Sequence, residues 1–395
     1  MQRLIAWYRL KTVDTEGYIP ALDGFRVLMV GMVASFHIWQ QSWLTPTFTL
    51  FGQTVSMDYL LRSGYLWVDG MLLLSGFLLY LPFALAKEKE TVSPPVLPFY
   101  QKRCARILPS YFLCVLVMLL FVALPQQRYA TSGDMAKDVL AHLTFTFPFW
   151  RETLHATPLN GALWTVAVEM QFYLLFPLLG RAFRRQPILT YSLMTLCAFL
   201  FRRYAASLPD SSMLLNQLPA FLDVYANGFV AASCYTSIKR KTKEDVWTRI
   251  MMTACLVLSA LLLRHLLMDQ AAEYGVHMIR LGQLKRRFGL SVILSVMFVS
   301  APLSLGGVRL LLGNRMTRVL SGVSYQFYIW HQVFAVQLKN WGIPHSLSPL
   351  PQQAGDYAWQ TRYTALCYLG ALAISFIVTY LFERPLSRRL NKQHK

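Results

Sequence analysis

Apolar runs of about 20 residues recur from one end of this chain to the other, and nothing constrains its fold more. A helix of that length spans ~30 Å, the hydrocarbon thickness of a bilayer. Ten such runs can be drawn, roughly 25–43, 64–86, 107–125, 161–180, 187–207, 220–238, 247–268, 288–305, 319–339 and 361–382. Of the 395 residues, 55% are hydrophobic and 14% charged, where soluble domains carry about a quarter charged residues. The expected fold class is an all-α integral membrane protein of about ten transmembrane helices.

The formal net charge of +19 is, in such a chain, a topology signal before it is a sign of nucleic acid. With both termini cytoplasmic, the inner loops collect Lys87, Lys89, Lys102 and Arg103, then Arg181, Arg184 and Arg185, "KRKTK" at 239–243, Arg309, Arg315 and Arg318, and the tail "RPLSRRLNKQHK". About 24 Lys and Arg then fall inside and about 12 outside, which supports that orientation. One outer segment disagrees: "RLGQLKRRF" (280–288) is strongly basic. The six cysteines show no CxxC or Cys/His spacing, so neither a disulfide framework nor a metal site is indicated.

No repeat or low-complexity tract divides the chain. Residues 1–24 form an N-terminal cytoplasmic or interfacial segment, whose opening "MQRLIAWYRLK" reads as amphipathic and interfacial. Residues 25–382 form one membrane domain, and 383–395 a basic cytoplasmic tail. The long connection 126–160, rich in aromatics and prolines, is expected to lie on the outer face beside an acceptor entrance.

A charge near the bilayer centre costs about 2.5–3.5 kcal/mol on insertion scales, so each needs a partner or a task. Arg26 and His37 share one helical face, ~16 Å apart along the axis. With Arg26 at the inner edge, His37 lies near mid-depth. Asp69, Glu169 and His331, on three other spans, fall within ~10 Å of that level. Each alone could be a structural hydrogen-bond or ion-pair partner, and His331 serves equally well as a helix-to-helix bond. Four groups at one level suggest a site. At the inner face, "PFYQKRCARILPSYFL" (98–113) sets Arg103 and Arg106 three residues apart on one helical side, with Pro109 near the expected helix start. Ordinary positive-inside anchoring is one reading. The other is an anion clamp, since guanidinium forks match phosphate oxygens. A polyanionic donor such as a coenzyme A thioester would suit Arg26, Arg103 and Arg106 together.

At this point the chain resembles the acyltransferase family 3 membrane proteins, which O-acylate sugars of surface polysaccharides, lipid-linked glycans and some secondary metabolites. "ALDGFRVLMVGMVASFH" carries an Arg and a His separated by ten residues, as in the family's opening motif. "GYLWVDGMLLLSGFLL" is similar to its Gly-Val-x-x-Phe-Phe-x-x-Ser-Gly-Phe segment, and "FYQKRCARILPSY" to its Arg-x-x-Arg. "LWTVAVEMQFYLLFPLL", "GVSYQFYIWH" and "FERPLSRR" complete six motifs in order. Met71 and Leu72 replace the usual aromatics, and Thr165 the commoner Ser.

The resemblance implies that His37 is the general base, drawing a proton from an acceptor hydroxyl as it attacks a thioester; an imidazole titrates near neutral pH. Glu169 or Asp69 would tune and orient it. Arg26, Arg103 and Arg106 would hold the phosphates of acyl-CoA, with acetyl-CoA favoured by the family's habit. A carbohydrate or lipid-linked glycan acceptor would enter from outside. Whether the acyl group pauses on His37 stays open, and Ser75, beside Gly76, reads as a helix-packing residue. The expected partners are acyl-CoA, the glycan acceptor and membrane lipid, without nucleic acid or metal, in a multi-pass protein of a cell membrane. A transporter of a small anion or glycan precursor is the principal alternative; dependence on acyl-CoA separates the two. A non-catalytic assembly or sensor protein is a further alternative.

Overall fold

The computed structural model describes residues 17–242, 245–273, 275 and 278–392. The stretch "MQRLIAWYRLK" lies outside them, as do the last three residues of the tail. Each of the ten apolar runs folds as a helix: α1 (Ala21–Ser42), α2 (Trp67–Glu88), α3 (Val96–Met118), α4 (Trp164–Arg185), α5 (Pro187–Ser207), α6 (Leu222–Lys241), α7 (Val246–Ala271), α8 (Arg287–Leu303), α9 (Arg315–Asn340) and α10 (Tyr357–Val378). Six helical stretches are long and apolar enough to cross a membrane: Ala21–Ser42, Gly64–Glu88, Val96–Ala123, Gly161–Arg185, Val246–Ala271 and Tyr357–Leu390. A seventh is the bent pair Met278–Lys285 and Arg287–Leu303, which turns by 60° between its halves. α5, α6 and α9 carry buried polar groups instead, among them Arg202, Asp223, Asn227, Gln326 and His331.

One small departure from an all-helical chain is a hairpin, β1 (Thr47–Leu50) antiparallel to β2 (Gln53–Ser56), in register Thr47 opposite Ser56. Its two-residue turn has positive φ at both Phe51 (49°) and Gly52 (78°), the hand that matches hairpin twist. The connection 126–160 is folded. The helix Ser132–Leu143 and the short turns after it bury Asp138, His142, Phe147 and Thr153. α3 begins at Val96, so Pro109 stands inside the helix and not near its start. That corrects the expected placement: the helix runs through the basic stretch before the apolar one, because Lys and Arg are good helix formers.

The bundle is built around α2. α1, α6 and α8 all pack on it, α6 most extensively. The α2–α6 approach is close enough for backbones to touch. A Cβ on Gly228 would stand 2.6 Å from the Leu73 carbonyl oxygen and 2.7 Å from the Phe77 nitrogen; one on Gly76 would meet the Tyr225 carbonyl oxygen at 2.9 Å. Small residues are what permit such contact where lipid gives helices no hydrophobic drive to associate. α1 and α9 run parallel. Arg26 donates to Ser321 (3.2 Å), which donates to Asp23 (2.7 Å). Eleven residues further along α1 and ten along α9, His37 meets His331.

The basic segment 280–288 is accounted for by partners inside the molecule. Arg280 donates to the carbonyls of Ala206, Leu208 and Pro209 at 2.8–3.1 Å, satisfying the end of α5. Lys285 pairs with Glu273, and Arg286 with Asp269 and Glu273. Arg287, 1% exposed, pairs with Asp69 at 3.1 Å. These charges neutralise carboxylates and cap carbonyls, so they say little about which side of a membrane they occupy.

Gly228→Val is expected to lower the thermal unfolding midpoint of detergent-purified protein sharply. The added atoms meet backbone, which has no rotamer to yield, so the cost should exceed the ~1–3 kcal/mol usual for overpacking. An unchanged midpoint would show that the helices separate without loss.

Candidate active site

His37 projects from α1 toward α9, where its Nδ1 lies 2.8 Å from Nε2 of His331. The two rings are nearly parallel, 14° apart with centroids at 5.1 Å. The other nitrogen of His331, Nδ1, lies 3.1 Å from the Phe327 carbonyl oxygen. A carbonyl only accepts, so His331 carries its proton on Nδ1 and, when neutral, offers Nε2 as an acceptor. His37 must then donate through Nδ1, which leaves Nε2 with the lone pair. Among the described residues that Nε2 has no hydrogen-bond partner. One backbone carbonyl thus sets the tautomers of two histidines. The register of α9 that makes this possible begins with a capping box, Asn314 and Thr317 each bonding the other's backbone N–H at 3.0 Å.

A cavity of about 450 Å³ begins at Tyr18 and Asp23 and runs up between α1, α2, α3, α4 and α9. Arg26, Arg103 and Arg106 line it, together with Ser75, Glu169, Tyr173, Tyr325 and Tyr328. The Arg103 guanidinium stands 5.8 Å from the Phe99 ring and 5.6 Å from that of Tyr173, within cation–π range. Glu169 accepts hydrogen bonds from Ser75 (2.7 Å) and from the Tyr173 hydroxyl. Ser75 therefore bonds a carboxylate across to α4 as well as standing beside the packing glycine Gly76.

A second cavity, of about 130 Å³, is lined by His37, Tyr65, Asp69, Trp164, Gln283, Arg287 and Tyr328 among others. Val68 and Tyr328 face both cavities. Tyr328 is 3% exposed; it accepts from Thr165 (2.7 Å) and donates to the Ala162 carbonyl (3.2 Å). The ring thus stands between the two cavities with its hydroxyl held by Thr165 of α4 and by the Ala162 carbonyl. A third cavity, about 350 Å³, lies along the far end of α9, lined by Arg128, Thr157, Asn160, Gln332, Gln337 and Asn340 among others. Ala156, Thr157, Pro158 and Asn160 of the long connection form part of its wall.

The four groups expected at one level are divided by this arrangement. His37 and Asp69 line the small cavity, with His331 bonded behind His37, whereas Glu169 belongs to the large one with the arginines. Neither carboxylate bonds His37: Glu169 is held by Ser75 and Tyr173, and Asp69 by Arg287. The orienting partner of His37 is a second histidine. Sequence reasoning had His331 in view without assigning it to the site, and it missed Tyr328 and Arg287. A basic residue at the start of an apolar run, opposite an aspartate at the start of another, was the available signal for Arg287. Among the described residues no group of three His, Cys, Asp or Glu is placed to hold a metal ion.

The profile of a family described as "Acyltransferase domain" matches residues 19–384. O-acetyltransferase OatA of Staphylococcus aureus (strain NCTC 8325 / PS 47) is 26% identical over 177 residues, 43% of this chain and 26% of the relative. The OatA proteins of S. aureus strains COL and MRSA252 match to the same extent. The chain spans about a quarter of the length of these relatives. No solved structure matches significantly.

In protein labelled with ¹⁵N-histidine, both His37 and His331 are expected to be protonated on Nδ1 near neutral pH, read from ring nitrogen shifts and assigned by single His→Asn variants. A His37 ring carrying its proton on Nε2 would reverse the hydrogen-bond chain.

Proposed function

The chain belongs to the acyltransferase domain family, and from that premise we propose that it is a membrane O-acyltransferase of about ten spans with both termini cytoplasmic. It moves an acyl group, acetyl by preference, from cytosolic acyl-CoA to a hydroxyl of a sugar-containing acceptor at or beyond the outer face of a cell membrane. The observation that carries this reading is the position of His37. An imidazole with one lone pair directed away from its partner lines the small cavity, which adjoins the larger one at Tyr328, and three arginines line that larger one.

The donor's phosphates bind Arg26, Arg103 and Arg106, whose forks supply several N–H donors to phosphate oxygens. Glu169 balances part of that charge and positions the arginines in the empty channel. The pantetheine arm runs along the apolar stretch of the cavity, past Leu72 and Val68, and brings the thioester to Tyr328. The acceptor hydroxyl attacks the carbonyl carbon while its proton passes to His37 Nε2. His331 accepts from Nδ1 and supports the imidazolium that forms. The tetrahedral intermediate collapses, the C–S bond breaks, and the proton on Nε2 goes to the departing thiolate. No hydroxyl or thiol nucleophile is needed for direct transfer.

Acetyl-CoA should raise the thermal midpoint of the detergent-purified protein, and Arg103→Ala/Arg106→Ala should abolish the rise. His37→Ala should keep the rise and lose transfer by about 10²–10⁴-fold, the usual worth of a general base. Silence of the wild type toward acetyl-CoA and longer acyl-CoAs would move the reading to transport.

A further inference from the structure

The small cavity holds a polar atom that the reaction above does not use. Asp69 is 2% exposed, and its Oδ1 accepts from Arg287 Nε at 3.1 Å. Its Oδ2 is buried without a hydrogen-bond partner among the described residues. A buried carboxylate oxygen left bare is costly unless something that binds there supplies a donor. Arg287 cannot turn to it. Its Nη1 donates to the carbonyls of Leu215 (3.1 Å) and Ala220 (3.3 Å), and its guanidinium lies 3.9 Å from the centre of the Phe221 ring. Phe221 is stacked in turn on Trp164, centroids 5.9 Å apart. The carboxylate is therefore neutralised and immobilised through one oxygen, in the wall of a cavity that it shares with His37.

An ionised carboxylate only accepts. The thioester carbonyl and the acyl methyl have no proton to give it, and the amide N–H groups of the pantetheine arm belong to the large cavity, which Asp69 does not line. A phosphate would be repelled. The matching group is an O–H, and the neighbouring wall is the indole of Trp164, a flat apolar surface suited to the C–H face of a ring. The volume, about 130 Å³, is below the ~300–1,000 Å³ of pockets that enclose a whole drug-sized ligand. It admits the reacting end of an acceptor and not an oligosaccharide.

Resting on the acyltransferase reading, we propose that this cavity is the acceptor-hydroxyl subsite, in which Asp69 Oδ2 accepts a hydrogen bond from one hydroxyl of a polyol so that an adjacent hydroxyl faces His37 Nε2. The first hydroxyl keeps its proton and orients the ring. The second loses its proton to His37 as its oxygen bonds to the acyl carbon, and the thiolate of the donor leaves. Asp69 is a positioning and specificity-determining residue in this scheme, and the acceptor must carry two neighbouring hydroxyls.

Two probes of equal ring size test it: trans-1,2-cyclohexanediol and cyclohexanol, each supplied with acetyl-CoA to the purified full chain, with ester product measured by mass spectrometry. The wild type should acetylate the diol about tenfold or more faster, since a site built to bond a hydroxyl discriminates strongly against an analogue lacking it. Asp69→Asn alone leaves Arg287 uncompensated, so the informative variant is Asp69→Asn/Arg287→Gln, an uncharged amide pair. Its diol-to-alcohol ratio should fall to about one, while acetyl-CoA still raises its thermal midpoint because neither residue lines the large cavity. A wild-type ratio of one, or a ratio unchanged in the double variant, would mean that Oδ2 holds only water and would overturn the proposal. Acetyl-CoA stabilisation with neither probe acetylated would also overturn it and leave the donor reading standing. Loss of acetyl-CoA stabilisation in the wild type would overturn the donor reading itself.

Discussion

The hydrogen bond between His37 and His331 determines more of this structure than any other contact. It joins the last turns of α1 to the central part of α9, 2.8 Å from nitrogen to nitrogen. Because His331 must give its own proton to the Phe327 carbonyl, the bond has one direction only, and that direction leaves Nε2 of His37 as a base. The lower clip, Arg26 and Asp23 on Ser321, keeps the parallel helices in register one wall below. A slip of one residue in α9 would turn His331 by about 100° and dissolve the pair. The conformation of the chain and the chemistry available to it are therefore set by the same contact.

Around that contact the interior is organised by the cost of unpaired charge. Two arginine–aspartate pairs, Arg287 with Asp69 and Arg202 with Asp223, are almost wholly buried and share the Ala220 carbonyl as an acceptor. Removing one partner from such a pair costs about 3–5 kcal/mol, so these residues tie α2, α5, α6 and α8 together. Glycine contacts between α2 and α6 do the same through van der Waals packing. The polar and apolar devices converge on α2, which carries Asp69 in its first turn, Ser75 midway and Gly76 against α6. Tyr328 then divides the space between helices into a large cavity lined by cations and a small one lined by His37 and a carboxylate.

Much of the architecture was legible from periodicity. Ten apolar runs predicted ten helices, and each run is one. Six or seven of those stretches are apolar enough to span a membrane on composition alone. α5, α6 and α9 are not, for a reason visible in Arg202, Asp223 and Gln326: a helix face packed on other helices can bury polar groups against them. The expectation that four titratable groups form one cluster failed for Glu169, because equal depth along separate helices says nothing of which way each side chain turns. The basic segment 280–288 contradicted the charge count for a related reason. Counting charges treats each as solvated and free, whereas Arg287 is buried, Arg286 largely so, and Arg280 and Lys285 are committed to carbonyls and to Glu273.

By itself the sequence determined the class of the protein, the helices, and the residue types able to do chemistry: an arginine and a histidine on one face of α1, and paired arginines on one side of α3. These follow from helical geometry and from the cost of charge in an apolar medium, both of which act along a single segment. Only the tertiary structure decided that His37 is oriented by a histidine and not by a carboxylate, that Glu169 lies with the arginines, and that Asp69 turns one oxygen to Arg287 and leaves the other bare. Those choices depend on the rotation of each helix against its neighbours. That rotation is fixed by contacts between residues hundreds of positions apart, such as Arg26 with Ser321 and Asp69 with Arg287, which no local pattern encodes.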